Sequence, residues 1–88
     1  MTFGEIKAAV FGGAIVRVVG IDYVDTYQIG TSDDGASLRA YANDEIYSVG
    51  DMFADIESAV ERADVRIFRK DFLDGTVITI LRRIGEEV

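Results

Sequence analysis

The chain has 88 residues, 49% of them apolar and 28% charged, with neither cysteine nor histidine and a net charge of −7. A chain of that length holds one core and buries roughly 60–65% of its unfolded surface, so we expect a single domain over residues 1–88. A disulfide framework is excluded, and so are the usual near-neutral general base and the commonest metal ligand.

Thr2-Phe3-Gly4-Glu5 has the spacing of a capping box. Phe3, Ile6 and Val10 continue as one apolar stripe, which predicts a short helix stopped by Gly12-Gly13. Ala14 to Val19 is β-branched on both faces and reads as a central strand, followed by a turn around Gly20-Ile21-Asp22. Tyr23–Thr31 and Ala36–Tyr41 read as strands about the turn Ser32-Asp33-Asp34-Gly35. Asn43-Asp44-Glu45 reads as a loop. Ser48 then caps a second helix, whose stripe Val49, Met52, Phe53, Ile56 and Val60 puts Asp51 and Asp55 outside. Last come Val65–Leu73 and Thr76–Ile84, flanking the hairpin signal Asp74-Gly75. A two-residue turn there would pair Leu73 with Thr76 and Asp71 with Ile78. One hairpin face carries Val65, Ile67, Ile78, Ile80 and Ile84, the other Phe68, Phe72, Val77 and Leu81. The predicted fold is α+β in the order α-β-β-β-α-β-β, an antiparallel sheet of about five strands with two helices on one face.

Chemistry-bearing motifs fail. Gly12-Gly13 precedes a strand and lacks the Lys-Ser/Thr of a phosphate loop. Asp33-Asp34-Gly35 lacks the alternate acids and closing glutamate of a calcium loop. No histidine stands ready to activate Ser32, Ser37, Ser48 or Ser58, and Lys7 and Lys70 have no motif around them. We therefore expect no enzyme, cofactor or metal. No apolar run nears the roughly 20 residues of a membrane span, so we expect no membrane partner and a cytoplasmic setting. Arg62, Arg66, Arg69, Lys70, Arg82 and Arg83 cluster late but alternate with acids. Residues 61–88 sum to zero, which argues against direct nucleic-acid contact.

Two features remain. Residues 21–60 carry nine acids against Arg39 alone, a balance of −8, while residues 1–20 sum to +1. That segment should attract a basic protein surface, through Asp33, Asp34, Asp44, Glu45, Asp51, Asp55 and Glu57. Small acidic phage inhibitors, anti-CRISPR proteins among them, act as nucleic-acid mimics on such surfaces; the likeness is one of size and charge, without a shared motif. The second feature is the two-sided hairpin. Two short helices cover one sheet face, leaving Phe68, Phe72, Val77 and Leu81, or else the isoleucine face, as a contact patch; the first is the predicted self-association surface, most simply of a homodimer. The favoured reading is a non-enzymatic acidic binding protein of inhibitor type. The alternative is an assembly subunit that works through the apolar sheet face.

Overall fold

A computed structural model describes residues 1–82. Its elements are α1 (Phe3–Phe11), β1 (Ile15–Val19), β2 (Val24–Thr31), β3 (Leu38–Ala42), β4 (Glu45–Tyr47), α2 (Val49–Val60), β5 (Val65–Phe72) and β6 (Gly75–Arg82). The capping box forms as its spacing predicts: the Glu5 N–H donates to Thr2 Oγ1 at 3.2 Å, and the Thr2 N–H to Glu5 Oε1 at 2.9 Å. Gly13, at φ 104°, takes the left-handed conformation that ends α1 and turns the chain into β1. Ser48 caps α2, its Oγ accepting from the Asp51 N–H at 3.3 Å.

The six strands form one sheet in the order β4-β3-β2-β1-β6-β5. Two features depart from the predicted antiparallel five. First, Asn43 and Asp44, at φ 53° and 67°, make a two-residue turn of the kind that tight hairpins require, so Glu45–Tyr47 folds back as a sixth strand. Asn43 Oδ1 fixes this turn by accepting from the Thr26 N–H at 2.9 Å. Second, β1 lies parallel to β6, which makes the sheet mixed. The crossover between them contains β2, β3, β4, α2 and β5, ample length for a parallel connection.

The last hairpin turns at Leu73-Asp74, with Gly75 opposite Phe72 and Asp71 opposite Thr76. Against the predicted pairing each partner moves by two residues. An even shift leaves every side chain on its expected face. Arg83 and the predicted reach of this strand to Ile84 lie outside the described residues.

Alternation and register sort the strands into two faces. Val16, Val18, Tyr27, Ala40, Ile78 and Ile80 point toward the helices and are buried with Ile6, Val10, Met52, Phe53 and Ile56. Phe53 anchors the helix layer, with the rings of Phe3 and Phe11 6.4 Å and 5.2 Å away and the Lys7 ammonium 5.3 Å from its centroid. Among the described residues no helix lies over the opposite face. No helix among the described residues is long and apolar enough to cross a membrane.

Candidate functional site

The acids singled out above do not form one patch. Asp33 and Asp34 stand in the β2–β3 turn, while Asp44 stands in the β3–β4 turn, at the far end of β3. Five residues of strand separate the turns by roughly 15 Å, beyond a physiological Debye length of about 8 Å. Asp34 is also engaged locally. It accepts from the Ser32 hydroxyl and, at 3.0 Å, from the Ala36 N–H, and these bonds hold its carboxyl below the usual range. That is turn scaffolding, with the buried Ser32 as its base.

The remaining acids gather on the helix side. Asp51, Asp55 and Glu57 are exposed on α2, and Glu45 on β4 lies across the pleat from Ile46, on the helix-covered side. Asp55 is tied to the sheet edge, because the Tyr47 hydroxyl donates to its Oδ2 at 2.7 Å. That bond is the main reason the Tyr47 phenol is pushed up. Asp25 on β2 belongs to this group, although nothing in the sequence marked it. It accepts from Asn43 Nδ2 at 3.1 Å and, with Asp55, lines a concavity of about 260 Å3. Tyr27 forms part of the wall of that concavity. Burial first, and then the carboxylates of Asp55 and Asp25, push its phenol up to about 12.

Helix-side cations are largely consumed. Arg62 holds Asp64 through two bonds of 2.8 Å, and this pairing pulls the Asp64 carboxyl down. Arg69 meets Asp71 at 3.2 Å, where Thr76 also donates to the carboxylate. Arg82 reaches the Tyr23 hydroxyl at 3.3 Å. The unbalanced charge on this side is therefore negative.

The open face has the reverse sign. Its charged strand residues are Arg17, Arg39, Arg66 and Lys70, and among the described residues no strand position on that face is acidic. Phe68 and Phe72 stand 42% and 50% exposed on it. The Arg66 guanidinium lies 4.9 Å from the Phe68 centroid and the Lys70 ammonium 5.4 Å from that of Phe72. Val77 and Leu81 share the face, half-buried between β1 and β5. The predicted self-association residues are thus together on one surface, but cations surround them. Acids and bases that alternate along residues 64–71 are separated by the pleat, with Asp71 and Arg69 toward the helices and Arg66 and Lys70 away from them.

No protein-family model matches this sequence, and no curated protein or solved structure shows significant similarity to it.

Proposed function

We propose that the protein is a non-enzymatic binding module whose helix-side acidic surface docks on a basic protein surface. The observation that supports this reading is the segregation of charge across the sheet. Acids on α2, β4 and β2 keep an unbalanced negative field, because Arg62 and Arg69 are paired with Asp64 and Asp71, and Arg82 also lies 3.9 Å from Asp64. Complementary fields act chiefly on encounter rate and on rejection of wrong partners. A target of this kind is a nucleic-acid-binding protein whose basic channel the acidic side occupies, which makes the module an inhibitor.

The test is a stopped-flow salt series against the partner captured from the source cell. Reversing Glu45, Asp51, Asp55 and Glu57 together should slow association strongly, whereas Asp33→Lys, at the distant turn, should do little. Equal rates for wild type and the fourfold variant, with no salt dependence, would leave the acids a role in solubility only. The assembly reading instead buries the Phe68 and Phe72 face in a twofold dimer. Exposure of both rings favours it; against it, a twofold sandwich brings the cations of one copy toward those of the other. A dimer in light scattering that Phe68→Glu dissolves would replace our reading.

A further inference from the structure

We propose that the open face of the sheet is a binding platform for single-stranded nucleic acid. Such platforms combine two features: exposed rings on which successive bases stack, and cations that follow the phosphates. Both are present here. Phe68 and Phe72 lie on the same face of β5, about 13 Å apart at strand rise, each about half exposed and with one cation, Arg66 or Lys70, against its ring. Arg66 and Lys70 alternate with them along the strand. Arg17 sits in the same cross-sheet row as Phe68, with Thr79 of β6 between them, two strand spacings or roughly 10 Å away. Arg39 extends the positive field onto β3.

Taken over the whole chain, the net charge of −7 opposes this partner. Among the described residues, however, its acids lie in the turns or on the helix side, and Asp74, at the β5–β6 turn, borders this face beside Phe72. The acids on α2 stand behind both the sheet and a helix about 10 Å across, on the side of the molecule away from the open face. What a phosphate meets on approach is the local balance, which is cationic. Other occupants fit less well. An acidic peptide would satisfy the cations but leaves the spaced rings without a purpose. A duplex satisfies the phosphate contacts but keeps its bases stacked on one another. A second copy brings like charges together. Only a single strand uses both the rings and the cations.

The experiment is fluorescence anisotropy with a labelled thymidine homopolymer and a uridine homopolymer, each at 50 and 200 mM salt. The same sequences as duplexes, inorganic polyphosphate and poly-glutamate serve as competitors. Four phosphate contacts on a single strand predict an affinity loss of about 50-fold between the two salts. Phe68→Ala should weaken binding about 5- to 150-fold, with circular dichroism unchanged because the ring is not part of the core. Lys70→Glu should weaken it and flatten the salt dependence. Reversal of Asp51 and Asp55 should leave it intact, which separates this face from the acidic one. Three outcomes would overturn the proposal. These are no binding at 50 mM salt with protein in the tens of micromolar, competition by polyphosphate as strong as by the oligonucleotide with no effect of Phe68→Ala, or a dimer whose dissociation by Phe68→Glu leaves oligonucleotide binding absent.

Discussion

The two faces of the sheet are made of similar strands but meet different surroundings. On the helix side the apolar residues, Tyr27 and Phe53 included, are buried, and Ile56, Ile78 and Ile80 pack to zero exposure. On the open side the apolar residues include large aromatics left half in water and accompanied by arginine and lysine. A core excludes charge because desolvation is costly. An interaction surface can retain cations and rings together, since each side chain keeps contact with water until a partner arrives. The contrast separates what folds the molecule from what it offers to others.

Melts in urea should break or confirm this contrast first. Ile56→Ala empties a fully buried position and should cost about 2–5 kcal/mol. Phe68→Ala removes a larger but half-exposed side chain from the open face and should cost about 1 kcal/mol or less. Comparable losses would make the open face part of the core.

Alkaline pH sharpens the comparison next. The fold keeps the Tyr27 phenol protonated up to about 12, against an ordinary tyrosine value of 10.0. Between these values the unfolded chain releases a proton that the folded chain retains. Stability should therefore be intact below pH 10 and fall as pH rises through this window. Tyr27→Phe should flatten that loss in alkaline unfolding curves. A smaller effect belongs to the sheet edge. Tyr47→Phe removes the link from β4 to Asp55 and should show mainly as faster amide exchange at residues 45–47.

Both helices and most turns were legible in the sequence, because capping chemistry and helical periodicity are local. The stripe through Met52, Phe53 and Ile56 needed no knowledge of the rest of the chain. β4 escaped because three residues are too few to show alternation; the available signal was Asn43-Asp44, both tolerant of positive φ. The parallel β1–β6 pairing was hidden for a different reason, since strand order is decided by tertiary packing. The candidate surfaces were only half readable. Charge counted along the chain found the acidic middle but reported the last third as neutral. The open-face cations emerge only when Arg17, Arg39, Arg66 and Lys70 are placed by a register that runs through five strands.

The parallel pair has a consequence for how the chain reaches this state. Ile15 is matched with Val77, and Val19 with Leu81, so a central strand must find a neighbour more than sixty residues later in the chain. The β2–β3–β4 meander and the β5–β6 hairpin can each close over short loops within microseconds. Joining them means closing the long loop between β1 and β6 before the shared core is rewarded, a cost that rises with the logarithm of loop length. Folding should therefore be limited by the docking of two preformed halves. During synthesis β1 should hold an unpaired inner edge until β6 has emerged.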